Sequence, residues 1–200
     1  MTTVQWSRPG AADLLPVDRD LFRALLRRQA ATVTVVTTVA PGTGGRAHPG
    51  GSGEPVGGPV GEVGPVRAGF TATSFTSLSL DPPLVSFCLG TASSSWPVFV
   101  RAEHVAVHLL GAHQREAARI FATGGIDRFA AYPDWTPGPF DVPLLTGVLA
   151  RLLCRVAHRV PVGDHTLFVA EPLALDGGED GDPLVHHRGG YTTTGPPARS

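Results

Sequence analysis

Lysine is absent from this 200-residue sequence, and its sixteen basic residues other than histidine are all arginines. Chemistry that needs a lysine amine, such as Schiff-base formation or phosphate binding by a P-loop lysine, is therefore excluded. Charge is also scarce, since charged residues make up 16% of the chain and the net charge is -1. A chain this neutral has no electrostatic attraction for nucleic acid or an anionic membrane, and neither is expected as a partner.

Cysteine occurs only twice, as Cys88 and Cys154, each inside an apolar, strand-like run. We expect both to be reduced core thiols of a cytoplasmic protein. Because the sequence has no C-x-x-C pair and no zinc-like Cys/His spacing, it predicts no metal site. The first residues lack the basic start and apolar segment of a secretory signal, and no apolar run is long enough to span a bilayer.

Several nucleotide-binding and catalytic motifs are missing as well. No G-x-G-x-x-G follows a strand-like segment, which excludes a Rossmann dinucleotide site. The sequence also contains no P-loop, no G-x-S-x-G and no H-E-x-x-H. Any nucleotide would therefore have to be held in another way.

The apolar content suits one domain of ordinary size, since 42% of the residues are hydrophobic. We place this domain at 18–192, between a flexible N-terminal arm at 1–17 and a polar tail at 193–200. Residues 40–65 are dominated by glycine and proline, and they bury too little apolar surface to offset the entropy lost on ordering. Composition favours an ordinary surface loop here, and the alternatives are a lid over a site or a partner contact.

Periodicity predicts a strand-rich chain with a few short helices. Asp18 is a candidate N-cap for a helix over 18–30, and 114–121 suit a second helix that ends at Gly124 and Gly125. Strands are expected at 31–38, 84–89, 104–110 and 166–175. About six strands interrupted by short helices favour a closed antiparallel barrel over an alternating parallel sheet.

For two segments in the second half of the chain, the sequence leaves alternative structures or roles open. Residues 130–147 contain four prolines and indicate a long loop in which Trp135 and Phe140 either border a site or merely anchor the loop. Residues 148–160 suit either a helix or a strand, because their apolar positions do not fix the period.

Hydroxyl side chains are concentrated in residues 69–89, which read GFTATSFTSLSLDPPLVSFCL. Six of them fall within nine positions: Thr71, Thr73, Ser74, Thr76, Ser77 and Ser79. Pro82 and Pro83 then lead into an apolar run that suits a buried strand. Held between two strands, such a cluster offers a polar ligand many neutral donors and acceptors. Segments rich in Ser and Thr are more often solvated loops, so composition leaves both alternatives open.

Ser93 and Ser94 lie just before a short helix that Ser95 is expected to cap. Free backbone N–H groups at such a helix start can bind a phosphate or a carbonyl oxygen, although a simple N-cap would explain the same residues.

Histidines occur in two polar groups near the end of the chain. Gly163-Asp164-His165 predicts a turn that places an imidazole at a strand start, where it can donate to a carboxamide or phosphate or move a proton. A lone histidine in a turn is more often a surface residue. The second group, His186, His187, Arg188 and Tyr191, could hold a pyrophosphate or ribose, or form a solvated turn.

The stretch 69–89 resembles the signature of the flavin reductase family of FMN-binding split barrels, which is close to G-x-T-A-N-S-F-x-S-V-S-L-D-P-P-L. The GDH at 163–165 is similar to a second motif of that family. One position departs from the pattern: Thr73 stands where asparagine is usual, and the chain contains no asparagine. Threonine lacks the two-sided hydrogen bonding of an amide. The resemblance implies a mainly β, flavin-reductase-like split β-barrel with short flanking helices, a strand at 148–160, and an insertion at 40–65.

The resemblance also implies which residues form the site. The flavin-binding residues would be Thr71, Ala72, Thr73, Ser74, Ser77, Leu78, Ser93, Ser94, Phe121 and Gly125. His165 would serve the nicotinamide or hydride transfer, with Asp164 as its partner or as a turn residue, and Tyr191 would contribute to NAD(P)H binding.

The activity implied is that of an NAD(P)H:flavin oxidoreductase, in which hydride passes from the nicotinamide C4 to N5 of FMN or FAD. The protein would be a homodimer with flavin at the subunit interface, and reduced flavin would diffuse to a partner monooxygenase. The absence of lysine, a common partner of the 2′-phosphate, favours NADH over NADPH. Two alternatives remain: a non-catalytic flavin-binding or carrier protein on the same barrel, and a partner-binding barrel that has lost its ligand.

Overall fold

The computed structural model describes residues 16–42 and 64–194. Most of the expected N-terminal arm, most of the glycine- and proline-rich segment and the end of the polar tail lie outside these residues, so the domain limits stay predictions. The described residues form four α-helices and twelve β-strands, in the order α1 (Arg19–Leu26), β1 (Ala31–Thr32), β2 (Thr34–Ala40), β3 (Val66–Ala72), β4 (Thr76–Leu80), β5 (Pro83–Gly90), α2 (Trp96–Phe99), β6 (His104–Leu109), α3 (Arg115–Ala122), α4 (Arg128–Ala131), β7 (Trp135–Pro137), β8 (Pro143–Leu145), β9 (Ala150–Val162), β10 (His165–Asp176), β11 (Leu184–His187) and β12 (Gly190–Thr193).

A seven-stranded antiparallel sheet, in the order β3-β2-β6-β9-β10-β5-β4, forms the body of the domain. Two smaller sheets, β1-β11-β12 and β7-β8, complete a mainly β fold with short helices, as predicted. The segment 148–160 is largely strand, because β9 pairs with β6 on one side and with β10 on the other. The sheet is strongly curved: Phe70 of β3 and Phe87 of β5 stand near opposite ends of the strand order, yet their rings are 6.1 Å apart.

Four phenylalanines inside this curved sheet form the centre of the core: Phe70, Phe87, Phe99 and Phe168. The rings of Phe87 and Phe168 stack at 5.2 Å, and those of Phe70 and Phe99 meet edge to face at 5.0 Å. Burying each ring contributes about 1.5–3 kcal/mol, and the preferred ring geometries add to that. This packing fixes β3, β5 and β10, which are the strands next to the hydroxyl cluster and His165.

Helix α3 packs against β3 at a glycine. A Cβ atom on Gly69 would lie 2.6 Å from Cε1 of Phe121, so only glycine allows this close approach. Phe121 is itself buried, and its ring meets Phe129 edge to face at 5.4 Å. A second link is the hydroxyl of Thr71, which donates to the Ala118 carbonyl at 2.7 Å. The end of α3 is therefore held beside the hydroxyl cluster.

A two-residue turn joins the two longest strands and positions His165. Strand β9 ends at Val162 and β10 begins at His165, so Gly163 and Asp164 alone form the turn. Gly163 has a φ of 60°, which suits the first position of a two-residue hairpin turn and favours glycine there. The Gly-Asp-His motif is thus explained locally, because glycine makes the turn and histidine starts the next strand.

A different histidine is fully buried between strands. The Nδ1 atom of His108 lies 3.0 Å from the Val35 carbonyl oxygen, and its Nε2 accepts a hydrogen bond from the Leu145 N–H at 3.1 Å. The proton is therefore on Nδ1 and the imidazole is neutral, since a carbonyl only accepts. Burial, opposed by the Val35 carbonyl and aided by the charge of Arg151, lowers the pKa of His108 from 6.5 to about 4.

Two local predictions are corrected by the structure. Ser95 stands at the start of α2, but its side chain does not cap the helix, and its hydroxyl instead donates to the Gly69 carbonyl at 2.9 Å. Residues 130–147 are not one continuous loop, because β7 and β8 pair as a short hairpin within them. Strands of three residues are too short to give a periodic signal in the sequence.

Helix α1 begins where the sequence predicts and carries a partly uncovered apolar face. Oδ1 of Asp18 accepts hydrogen bonds from the backbone N–H groups of Asp20 and Leu21, each at 2.8 Å, which confirms the N-cap. About half of each apolar side chain on this face is exposed, namely those of Leu21, Phe22, Leu25 and Leu26. Neither α1 nor any other helix in the described ranges has the length and apolar character needed to cross a membrane.

Candidate functional site

A cavity of about 390 Å³ opens where the hydroxyl cluster meets the start of β10 and the end of α3. This volume is within the usual range of small-molecule and cofactor sites. Its walls come from the end of β3 and the loop after it, from the end of β5 and its following loop, and from β10, α3 and α4. The lining residues are Phe70, Thr71, Ala72, Thr73, Ser74, Cys88, Leu89, Gly90, Ser93, Phe121, Ala122, Arg128 and His165.

Six residues predicted to bind flavin line this cavity together with His165: Thr71, Ala72, Thr73, Ser74, Ser93 and Phe121. Three of their hydroxyls already bond within the fold, among them that of Ser93, whose oxygen accepts from the Ser95 N–H at 3.3 Å. Thr71 donates to the Ala118 carbonyl, and the Ser74 oxygen accepts from the Cys88 N–H at 2.9 Å. Thr71 therefore keeps acceptor capacity for a ligand, while Ser74 anchors the loop to β5.

The other five predicted cofactor-binding residues lie outside this lining. Ser94 and Gly125 line an adjoining cavity of about 640 Å³. Ser77 and Leu78 are exposed on β4, the strand at one edge of the sheet. Tyr191 on β12 packs against the apolar cluster next to α3. The fold thus distributes the predicted residues over two adjoining cavities and two separate strands.

A third cavity of about 380 Å³ adjoins the first through Thr73. Its polar lining includes Arg23 of α1, Arg27 directly after that helix, and His186 of β11. One member of the polar group near the chain end, His186, therefore shares a cavity with Thr73 of the signature loop.

His165 is oriented by the acid that precedes it. Its Nδ1 lies 2.7 Å from Oδ1 of Asp164, and because a carboxylate only accepts, Nδ1 carries the proton. The Nε2 atom lies over Gly90, 3.5 Å from the position that a Cβ atom there would take. In the neutral imidazole Nε2 accepts hydrogen bonds, and in the protonated form it donates them. The hydrogen bond from His165 holds the pKa of Asp164 below its usual value.

Arg128, at the start of α4, is a lining residue that sequence analysis missed. Its Nη1 donates to the Ser95 hydroxyl at 3.1 Å and its Nη2 to the Ser94 hydroxyl at 3.0 Å. Desolvation by burial lowers the pKa of the Arg128 guanidinium. Because its partners are 33 and 34 positions away in the sequence, no local pattern could have identified it.

The lining as a whole suits a flat aromatic ligand that carries an anionic group. Phe70, Leu89 and Phe121 supply a buried apolar wall, and they are only 7%, 3% and 1% exposed. The threonine and serine hydroxyls supply neutral hydrogen-bonding groups, and Arg128 supplies a cation. A flavin nucleotide, with its ring, polar ring edge and phosphate, fits this combination. Residues 16–42 and 64–194 contain no group of three or more His, Cys, Asp or Glu placed to hold a metal ion.

Comparison with known proteins agrees with this fit. The model of the family described as flavin reductase like domain matches residues 26–195. An NADH:FMN oxidoreductase of Rhodococcus qingshengii is 39% identical over 174 residues, which cover 85% of this chain and 79% of that protein. The reductase subunit HsaB of a flavin-dependent monooxygenase from Rhodococcus jostii is 31% identical, covering 92% of this chain and 82% of that protein.

A solved structure shows the same relationship in three dimensions. The NADH:FAD oxidoreductase SgcE6 of Streptomyces globisporus, in complex with NAD and FAD fragments, superimposes with a TM-score of 0.73 at 31% identity. The match covers 91% of this chain and 96% of that one. With a family model that spans most of the sequence and relatives above 30% identity over most of both chains, this chain belongs to the flavin reductase like domain family.

Proposed function

We propose that this chain is an NADH-dependent flavin reductase that reduces FMN or FAD and supplies the reduced flavin to a separate monooxygenase. The observation that carries the proposal is that one cavity joins the signature loop, Thr71 to Ser74, to His165 of the second motif. Relatives named as an NADH:FMN oxidoreductase and as a monooxygenase reductase subunit support the electron donor and the partner. The similar structure named an NADH:FAD oxidoreductase supports FAD as well as FMN as the flavin.

The cofactors supply the redox chemistry in this proposal, because a bound flavin accepts a hydride from the nicotinamide. The protein binds the two rings, orients them and excludes water. Phe70, Leu89 and Phe121 form the apolar wall against which a ring can pack. The hydroxyl of Thr71 and backbone groups of its loop would bind the polar edge of the flavin.

His165 would bind the nicotinamide substrate. Its Nδ1–H is committed to Asp164, so in the neutral imidazole Nε2 is an acceptor for the N–H of the nicotinamide carboxamide. Protonated, the same atom would donate to a phosphate oxygen. Asp164 acts through His165 in both cases, by fixing the ring and its tautomer.

We further propose that the protein is a homodimer in the cytoplasm. The apolar face of α1, with Leu21, Phe22, Leu25 and Leu26 about half exposed, is the kind of surface that a second copy covers. Cys88 and Cys154 are both unpaired, which suits a reducing compartment. Light scattering coupled to size exclusion should then give twice the 20.9 kDa chain mass; a monomeric mass at micromolar protein would contradict the dimer.

The activity is tested by mixing the purified protein anaerobically with NADH and an excess of FMN or FAD, while the absorbance of oxidised flavin is followed. Reduction of many flavin equivalents per chain is expected, and the faster flavin identifies the preferred substrate. Tight flavin binding without bleaching by NADH or NADPH would instead support a flavin carrier. Absence of binding would contradict both functions.

A further inference from the structure

A second, larger cavity adjoins the one that joins the two motifs. Its volume is about 640 Å³, against about 390 Å³ for the first, and Arg128 lines both. Each volume is within the usual range of small-molecule sites. A ligand that occupies the first cavity and is long enough to pass Arg128 would therefore enter the second.

Trp135 supplies an aromatic wall of this second cavity, and the fold holds its ring in place. Its Nε1 donates to the Phe129 carbonyl at 3.1 Å, and the two rings meet edge to face at 5.3 Å. Trp135 also starts β7 and pairs with Leu145 of β8. Because the single N–H of the indole is committed to the backbone, the side chain offers a ligand only its ring. The sequence left open whether Trp135 borders a site or anchors its loop, and it does both.

Arg67 adds a second flat group to the same wall. It lies on β3, and its guanidinium carbon is 5.2 Å from the centre of the Trp135 ring. Arg67 is exposed, and the ion pairs in the described part of the chain involve other residues. Aromatic rings and arginine guanidinium planes are both groups on which nucleic-acid bases stack. The pair of Trp135 and Arg67 therefore suits a purine ring.

Polar groups around this wall match a ribose. Oδ1 of Asp127 accepts from the N–H groups of Phe129 and Ala130 at 3.0 and 3.1 Å, while Oδ2 has no hydrogen-bond partner among the described residues. The Ser94 oxygen accepts from Arg128, and its own hydrogen is left for another acceptor. Carboxylates commonly accept hydrogen bonds from ribose hydroxyls in nucleotide sites. A stacking wall beside such groups has the chemistry that recognises a nucleoside.

We propose that Trp135 and Arg67 bind the adenine of FAD, with Asp127 accepting from its ribose, and that this site makes the chain select FAD over FMN. The inference rests on the proposed flavin reductase function and deepens it by naming the flavin. FMN lacks the adenosine and would occupy the first cavity alone. NADH also carries an adenine, but the described lining of the second cavity includes β3 and no residue of β10, the strand that carries His165. The flavin is therefore the source of the adenine.

The test compares the affinities of FAD and FMN, measured by titration calorimetry without NADH. The variants Trp135→Leu and Arg67→Gln remove the indole ring and the guanidinium in turn. The control is Phe140→Leu. Phe140 belongs to the same proline-rich segment as Trp135, but its ring stacks on His104 with centroids 3.7 Å apart, and it is absent from the described lining of all three cavities.

Trp135→Leu should weaken FAD binding by about 5- to 100-fold, because the adenine loses its aromatic stacking partner. Arg67→Gln should weaken it by about 2- to 10-fold, since the cation on the same wall is lost. FMN binding should stay within about twofold in both variants, which also shows that they are folded. If Trp135→Leu loses FMN binding as well, Arg67→Gln, at an exposed position, decides alone.

The outcomes separate this inference from the proposed function. A wild type that prefers FAD by about fivefold or more, with the preference reduced in the two cavity variants and kept in Phe140→Leu, supports the adenine site. Equal affinity of the wild type for both flavins, or an FAD-to-FMN ratio unchanged in the cavity variants, overturns it. A raised KM for NADH with that ratio unchanged also overturns it and assigns the cavity to the adenine of the dinucleotide. A wild type that binds neither flavin contradicts the flavin reductase function itself.

Discussion

Acid should destabilise this protein through one buried side chain, His108. In the folded chain its neutral ring connects the Val35 carbonyl to the Leu145 N–H. Protonation would add a hydrogen to Nε2, which would then face the N–H of Leu145, and it would place a positive charge in a site without exposed surface. For this reason the folded-state pKa of His108 is about 4, whereas the unfolded value is the ordinary 6.5.

The direction of the pH effect follows from these two values. Below pH 6.5 the unfolded chain binds a proton at His108 that the folded chain does not bind, so the free energy of unfolding decreases as the pH falls towards about 4. A shift of one pKa unit corresponds to roughly 1.4 kcal/mol, and the loss over the whole interval is therefore about 3 kcal/mol. Above pH 6.5 the residue is neutral in both states and its contribution is constant.

The effect of this residue is isolated with His108→Gln. Glutamine offers an amide NH₂ group, with two N–H donors, and a carbonyl acceptor, so it can replace both hydrogen bonds but is not protonated in this pH range. Urea unfolding of the two proteins is measured from about pH 7.5 to about pH 4. The wild type should lose about 3 kcal/mol more than the variant over this range, whatever constant offset the substitution introduces. A difference in unfolding free energy that stays constant with pH would refute the reasoning.

Three further predictions concern the site and the dimer. His165→Ala should lower kcat/KM for NADH by about 10- to 100-fold and leave flavin affinity within about twofold, and an equal loss of flavin affinity in a titration would contradict the assigned role. Gly69→Ala should destabilise the fold by about 1–3 kcal/mol and weaken flavin binding, because the new Cβ would lie 2.6 Å from Phe121. The matched control Gly177→Ala, which meets no described atom within 4 Å, should leave both the thermal midpoint and flavin binding nearly unchanged. Leu25→Glu on α1 should shift the mass in solution from dimer to monomer, and an unaffected dimer would exclude this face as the interface.

Local sequence patterns predicted those structural features that are determined by a few neighbouring residues. Asp18 was identifiable as an N-cap because its bonds reach only two and three positions along the chain. The placement of His165 followed from Gly163, whose conformation sets the turn. Residues 148–160 needed the family resemblance, since their composition suits a helix and only pairing with β6 and β10 makes them a strand.

Features of the site that depend on tertiary contacts could not be predicted in the same way. Ser77 and Leu78 belong to the same motif as Thr71, but β4 turns away along the sheet edge and leaves them exposed outside the cavity. Arg128 lacked any sequence signal, because its hydroxyl partners come from the loop before α2. Proximity in a motif therefore indicated the general location of the cavity, and the curvature of the sheet selected which residues reach it.

The two cysteines differ in accessibility, so that one of them can be used as a chemical probe of the cavity. Cys88 is partly accessible and lines the cavity, whereas Cys154 is fully buried and its pKa is raised to about 12 by desolvation. A thiolate is the reactive form, so Cys154 should remain inert in the folded protein. Alkylation by a small maleimide, read by mass spectrometry, would then report on a single thiol. Its protection by each nucleotide would measure occupancy of the cavity without relying on turnover or on flavin fluorescence.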